Sequence, residues 1–538
     1  MSAKPLKIFV FVFLPLLSLL VVNQVTQNSI AFIRTILAAA PILIVLVVMI
    51  VFHVGGQVAG LIGLLSGLLV AFQAFGLTSN ILIISQVKGL LLFLFVLAVF
   101  LPALFLYNIV NQARGIQSIA LALENRIQDR GILLIVIAWA FSGMLEGLAG
   151  FGLPVAMVSP MLVELGLNPI LAVAAVAIGH AWSVTFGDMG VIYQTLISVV
   201  KVAPAQLSVF AAIFLGISCL ACGLSVAHIL KRLNKWPIVL VLALVMAFVQ
   251  YAFVMLNIAA LASFCAGLAG VSAAILINHI IMKSKNEKSA PMEWTPSLKM
   301  ALLSYGSLTV LMSLIAIVPP LHQALGKISW VVAYPEVTTL RGFTTAAVIN
   351  QHYYPLLHPG TSILLIALIS YFLNKRAKLY SSTNLMHIVS ITVKAALPPA
   401  IGILSMVGLS FLMDHSGMTV QLAELLSSFF NAAFPLVSPY IGMLGAFATG
   451  SNNNSNVLFA PLQEGIAILL KISPAVIVAA QTTGGALGSM IAPAKVIVGC
   501  STVAAQGRDG EVLRKTIPYG LVIGLVMGIV TMLFAMNN

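Results

Sequence analysis

The chain is 538 residues long, 61% apolar and only 7% charged, with a mean hydropathy of +1.12. A soluble domain is roughly half apolar, so this composition excludes one and describes an all-α polytopic membrane protein. The net charge of +13 does not mark a nucleic-acid binder, because the 26 Lys and Arg lie scattered in short loops between apolar runs, without interleaved aromatics.

A transmembrane helix needs about 20 mainly apolar residues. Such runs occur at Ile8 to Val22, Thr35 to Val54, Val58 to Phe75, Leu90 to Ile109, Leu207 to Ile229, Pro237 to Met255, Ile258 to Met282, Ala301 to Val318 and Leu521 to Phe534. Further runs broken by Gly and Pro bring the expected total to roughly 12 to 14. The first, within "MSAKPLKIFVFVFLPLLSLLVV", lacks a small-x-small cleavage site and reads as an uncleaved helix. Asn111 to Gly131 is amphipathic and is expected along the cytoplasmic surface, and "KSKNEKSAPMEWTP" reads as a polar linker. Cys219, Cys222, Cys265 and Cys500 lie in or beside apolar runs and read as packing residues rather than redox or metal ligands. "GLLSG" at Gly63 and "GLVIGLVMG" at Gly520 read as small-residue packing faces.

Basic clusters set the expected topology. Lys4 with Lys7, Arg114 with Arg126 and Arg130, Lys231 to Lys235, Lys283 to Lys299, Lys375 to Lys378, and Arg508 to Lys515 are assigned to the cytoplasm. The N-terminus is then cytoplasmic, Pro319 to Pro359 is an outer loop, and Asn538 is outside. The chain divides into scaffold helices over 1–130, a first repeat over 131–204, further scaffold over 205–440, a second repeat over 441–505 and a C-terminal helix over 506–538.

The repeat is visible in the residues. "GMLEGLAGFG" from Gly143 overlays "GMLGAFATGS" from Gly442, and Pro160 and "FGDM" at Phe186 then fall on Pro461 and "LGSM" at Leu487. The first copy begins beside the basic loop ending at Arg130, whereas the second ends beside Arg508, so the copies are expected to be inverted, with re-entrant hairpins and broken helices. That pattern belongs to secondary transporters, whose substrate site lies near the bilayer midplane. Irregular backbone in hydrocarbon is tolerated only around a cavity. "TGSNNNSN", with Ser451, Asn452, Asn453, Asn454, Ser455 and Asn456, is therefore expected to line a site at a hairpin tip, where amides, hydroxyls and helix N-termini can donate to a carboxylate. The competing reading is that these residues cap broken helices or join helices to one another.

Ionisable residues inside apolar runs are costly, roughly 2.5–3.5 kcal/mol at a helix centre. Glu146 stands at the first break and is a candidate proton carrier. Asp188 lies two turns past His180, at i+8 on one helical face, and the two could share a proton or form a buried ion pair. Lys495, after the second Gly-rich break, either supplies a cation for a substrate carboxylate or snorkels to the interface. Lys88, Lys394 and Lys471 read as snorkelling, and Asp414 with His415 as an outer helix end.

"EGLAGFGLPVA" from Glu146, "FGDMG" from Phe186, "TGSNNNSNVLFA" from Thr449 and "TTGGALGSMIAP" from Thr482 resemble the motifs of the L-lactate permease family. The resemblance implies a bacterial inner-membrane symporter of small 2-hydroxymonocarboxylates such as lactate and glycolate, with the proton as coupling ion and no cofactor. Its motifs add Gly150, Phe151, Gly152, Thr482, Thr483 and Gly484 to the candidate substrate set of Ser451 to Asn456 and Lys495, with Glu146, Asp188 and His180 as coupling groups. The sequence departs from the family at Asn453 and Asn454, where hydroxyl residues are usual, at Asp188, where a small one is, and at Lys495. Sodium is the alternative coupling ion, since serine, asparagine and free carbonyls at a broken helix suit it. An intramembrane enzyme using Glu146, His180 and Asp188 is a different-class alternative, and a channel a third, although neither an enzyme motif nor a filter sequence is present. The expected partners are the substrate and the lipid bilayer, with a homo-oligomer left open.

Overall fold

The computed structural model describes residues 13–25, 31–52, 54–150, 152–284, 293–380 and 385–537. Expectations for Lys4, Lys7, the start of the first run, Phe151 and most of the polar linker fall outside them. Among the described residues, 13 helices are long and apolar enough to cross a membrane, within the expected range.

The first unit comprises α1 (Leu14–Val25), α2 (Ala31–Ile50), α3 (Gly56–Ala74) and α4 (Ser79–Gln112). The amphipathic stretch forms α5 (Gly115–Arg126), which buries Ile116, Ile119, Ala120 and Leu123 on one face. The first repeat follows as α6 (Arg130–Val136), a π-helical turn at Ile137–Phe141, α7 (Ser142–Leu148), α8 (Leu153–Glu164), α9 (Pro169–His180) and α10 (Val191–Val199). The middle section is α11 (Pro204–Ile229), α12 (Trp236–Met255), α13 (Ala259–Ser284), α14 (Pro296–Ile317), α15 (Pro319–Gly326), α16 (Pro359–Arg376), α17 (Leu385–Ser416) and α18 (Met418–Phe430). The second repeat is α19 (Phe434–Thr449), α20 (Asn452–Leu469), α21 (Pro474–Gly488) and α22 (Pro493–Thr502), and α23 (Asp509–Asn537) closes the chain. Cys219, Cys222, Cys265 and Cys500 are all buried free thiols.

The two segments expected to be repeats each form a helical hairpin followed by a broken helix. The first hairpin returns to the side it entered, because the Arg130 guanidinium, at the start of α6, donates to Leu165 O just beyond α8 at 2.6 Å. The two repeats interlock reciprocally, with half-helix α22 packed on α8 and half-helix α10 on α20. Glycines permit the closest approaches. A methyl at Gly499 would stand 2.5 Å from Val155 on α8, and one at Gly484 would stand 1.9 Å from the Pro439 carbonyl of α19.

The segment from Pro319 to Pro359 holds α15 and two small antiparallel sheets, β1 (Trp330–Tyr334) with β4 (Val348–Tyr353) and β2 (Val337–Thr338) with β3 (Thr344–Thr345). Three expectations are corrected. The break in the second hairpin is confined to Gly450, at φ +70°, and Ser451, so the asparagines already belong to the first turns of α20. The backbone between His180 and Asp188 is not one helix. It passes through a 3₁₀ turn at Ala181–Ser183 and an unwound segment with Met189 at φ +52°, so the i+8 face shared by His180 and Asp188 does not exist. Finally, Lys88 does not snorkel: its ammonium donates to His415 Nε2 at 3.0 Å and lies 4.8 Å from the centre of the Tyr334 ring.

Candidate functional site

The site is assembled where the two hairpin tips meet the start of α22. A methyl on Gly450 would lie 3.2 Å from Ala494 Cβ, and one on Gly152 would lie 3.7 Å from Lys495 Cγ. Residues Pro493 to Lys495 are thereby wedged between the tip of α7–α8 and the tip of α19–α20. Lys495 is 7% exposed, which removes the snorkelling alternative.

A cavity of about 310 Å³ opens against this wedge. It is lined by Thr449, Gly450, Ser451 and Asn454 from the second tip and by Ala494, Lys495 and Val498 from α22. Gly55, Gly56 and Gln57 at the start of α3 close it on one side, and Pro398, Pro399, Gly402 and Ile403 of α17 on the other. The prolines stand near the midpoint of the 32-residue α17, so the cavity lies halfway along that helix. Proline supplies no N–H to the carbonyl four residues back, and Pro398 and Pro399 therefore leave the Lys394 and Ala395 carbonyls without their helical donors.

The electrostatics of the cavity favour an anion. The N-termini of α3, α20 and α22 converge there, and each carries unpaired N–H groups and the positive end of a helix dipole. Ser451 caps α20 by accepting from Asn454 N–H at 3.4 Å. Lys495 lines the same cavity, with its ammonium 3.4 Å from Glu146. A volume near 300 Å³ is at the small end of ligand pockets and suits a molecule of a few heavy atoms.

Other candidate residues lie behind this cavity. Asn452 Nδ2 donates to Thr185 Oγ1 at 3.1 Å and Asn456 Nδ2 to Thr482 Oγ1 at 2.9 Å, while the two threonine hydroxyls stand 3.1 Å apart. This network ties the unwound stretch of the first repeat to the hairpin and broken helix of the second. Asn452 Oδ1, Asn454 Oδ1, Asn456 Oδ1, Thr483 Oγ1 and both amide atoms of Asn453 are buried with no hydrogen-bond partner among the described residues. Ser455 donates to Gly442 O at 2.8 Å inside its own hairpin, and Gly484 is where α19 crosses α21.

The coupling candidates form a second focus on the far side of Lys495. Its ammonium is 3.4 Å from Glu146 Oε1, and Glu146 is fully buried. Asp188 accepts the Gly150 N–H, which brings its carboxylate to the same tip. His180 Nδ1 contacts Val176 O at 2.9 Å, and its Nε2 has no partner among the described residues. No hydrogen bond joins it to Asp188 there.

Several site residues were not singled out from sequence. Gln57, Pro398, Pro399 and Gly402 come from segments that look like ordinary helix ends and packing. Thr185 adjoins the "FGDMG" motif and could have been found as a hydroxyl at a glycine break. Gln463 and Gln481 are joined by a hydrogen bond deep in the second repeat, with Ser438 donating to Gln463 at 2.5 Å. Their signal was a glutamine in mid-helix.

The chain is similar to known permeases over most of its length. The chain is 28% identical to the glycolate permease GlcA of Escherichia coli (strain K12), over 93% of this chain and 95% of that protein. It is 26% identical to an L-lactate permease of Bacillus subtilis (strain 168), over 89% of this chain and 92% of the relative. The crystal structure of the Alcanivorax borkumensis YdaH transporter superposes over 81% of this chain and 84% of its own, at 16% identity and a TM-score of 0.45. The model of the L-lactate permease family matches residues 34–536, spanning both hairpins, both broken helices and the cavity between them, and the chain is a member of that family.

Proposed function

We propose that the protein carries small 2-hydroxymonocarboxylates, lactate and glycolate foremost, across the bacterial plasma membrane by proton symport. The observation that carries this reading is the cavity of about 310 Å³ at which Lys495, Asn454 and three helix N-termini converge. It offers positive potential for one carboxylate, amide and backbone donors for its oxygens, and an acceptor at Gln57 for a neighbouring hydroxyl. The permeases to which the chain is similar are named for lactate and glycolate, which match that size and charge. Glu146, buried at the first tip, is the proton carrier in this reading. The two hairpins with their half-helices form the part that moves, inverted with respect to one another, and the remaining helices form the scaffold of an alternating-access cycle.

Counterflow in proteoliposomes tests the reading. Vesicles preloaded with unlabelled L-lactate, D-lactate or glycolate should show transient overshoot of the labelled acid, and an inward proton gradient should drive accumulation without sodium. Overshoot that fails for all three acids rejects the substrate class, and accumulation that requires sodium rejects the proton.

A further inference from the structure

We propose that Lys495 is a counter-cation shared by two carboxylates in turn, Glu146 in the empty carrier and the substrate's in the loaded one, and that protonation of Glu146 is what transfers it. This deepens the anion-carrier reading above and rests on it.

The geometry places Lys495 between the two claims. Its side chain lines the cavity, while its ammonium lies against Glu146 at 3.4 Å. A charge-assisted N–H···O bond is usually about 2.7–2.9 Å, so the pair is in contact without being clamped. Glu146 Oε2 has no partner among the described residues. A rigid strut between the first tip and α22 would be expected to satisfy both carboxylate oxygens, since a buried ion pair gains little unless its remaining lone pairs are bonded.

Charge balance supplies the coupling. The ionisable groups facing Glu146 are Lys495 from α22, Asp188 from the unwound stretch and His180 from α9, while α13 presents Phe264 against Gly147. A methyl on Gly150 would stand 2.5 Å from Glu146 Oε1 and 2.8 Å from Asp188 Oδ1, so two carboxylates crowd one point beside one ammonium. With His180 neutral and everything else ionised the cluster carries a net negative charge, which is costly away from water. One proton held between Glu146 and Asp188 makes the empty carrier neutral. A substrate carboxylate arriving at Lys495 restores the deficit, and a second proton, taken from water by Glu146, cancels it. Both the empty and the loaded cluster are then neutral, and each carboxylate carried brings one proton.

Proton uptake on binding tests this with purified full-length protein in weakly buffered detergent, using a pH-indicator dye and additions of glycolate or L-lactate. Wild type should take up about one proton per molecule bound, and its affinity should rise as pH falls from about 8 to 6. Glu146→Gln should bind without proton uptake, with an affinity that no longer follows pH. Lys495→Gln should lose roughly tenfold or more in affinity, the order expected for a buried charged hydrogen bond. Wild type that binds either acid without taking up a proton overturns the proposal while leaving the carrier reading intact, and so does uptake that persists in Glu146→Gln. Wild type that binds neither acid overturns the carrier reading and this proposal with it. Should Glu146→Gln fail to fold, Lys495→Gln decides, and wild-type affinity in that variant overturns the proposal.

Discussion

Asn453 is 2% exposed, and neither of its amide atoms has a hydrogen-bond partner among the described residues. A buried polar group left unbonded costs about 1–3 kcal/mol, so its presence opposes the stability of the empty protein and needs a reason outside it. A ligand that reaches past Asn454 on the cavity wall to this amide behind it is such a reason. Asn453→Ala and Asn454→Ala should therefore raise the half-saturation constant for lactate roughly tenfold, the loss expected for one hydrogen bond to a charged group. In Asn453→Ala the melting temperature of the substrate-free protein should hold or rise, because an orphaned amide has been removed. A lower melting temperature with unchanged half-saturation would assign Asn453 to structure. The asparagine run was legible in the sequence because four carboxamides in apolar surroundings have no propensity-based reason to be there. Which of them faces the cavity was not, since that depends on the helical phase of α20, and the phase is set by a break only two residues long.

At the level of elements, the open end of the first hairpin is fastened by one residue before it. Asp129 accepts from Gly131 N–H at 2.9 Å and Ile132 N–H at 3.0 Å, capping α6, and pairs with the Lys235 ammonium at 2.5 Å. Partial burial pushes its carboxyl up, but the hydrogen bond from Lys235 and those from the two backbone N–H groups outweigh it, and the group titrates below the ordinary carboxylate range. A carboxyl whose pKa is lower in the folded state than in the unfolded one stabilises above the unfolded value, about 3.9, and that contribution is lost as pH falls through the folded value. Asp129→Ala should cost about 1 kcal/mol through the lost cap. Asp129→Asn should keep much of the cap yet show a shallower loss of melting temperature below about pH 4. An acid limb identical to wild type in Asp129→Asn would remove Asp129 from the pH dependence. The cap is readable in sequence as an Asp ahead of an apolar helix. The π-helical turn at Ile137–Phe141 is not, because its surroundings come from elsewhere in the chain: Gly179 lies against the Ala138 carbonyl, and the Trp182 ring lies on Gly143 just beyond the turn.

Across the whole molecule, the two Gly-broken hairpins were legible because glycines interrupt otherwise apolar runs at Gly150, Gly152 and Gly450. The scaffold wall of the cavity was not, since Gly56 and Pro398 are more than 300 residues apart and only the packing of α3 on α17 brings them together. A carrier in which the second hairpin moves against that scaffold must break contacts at their boundary in every cycle. One such contact is between Gly465 on α20 and Ala423 on α18, where a methyl on Gly465 would lie 3.3 Å from Ala423 Cβ. Disulfides join Cβ atoms about 3.5–4.5 Å apart, so Gly465→Cys with Ala423→Cys should cross-link on oxidation once Cys219, Cys222, Cys265 and Cys500 have been replaced. Gly216 on α11 and Ala247 on α12 offer a control within the scaffold, at 3.1 Å. Oxidation should abolish lactate counterflow in the Gly465–Ala423 pair, and a reductant should restore it, whereas the Gly216–Ala247 pair should retain transport when fully cross-linked. If counterflow survives complete cross-linking of Gly465 to Ala423, the second hairpin and α18 travel together, and the moving boundary lies instead between α18 and the helices α2 and α17 on which it packs.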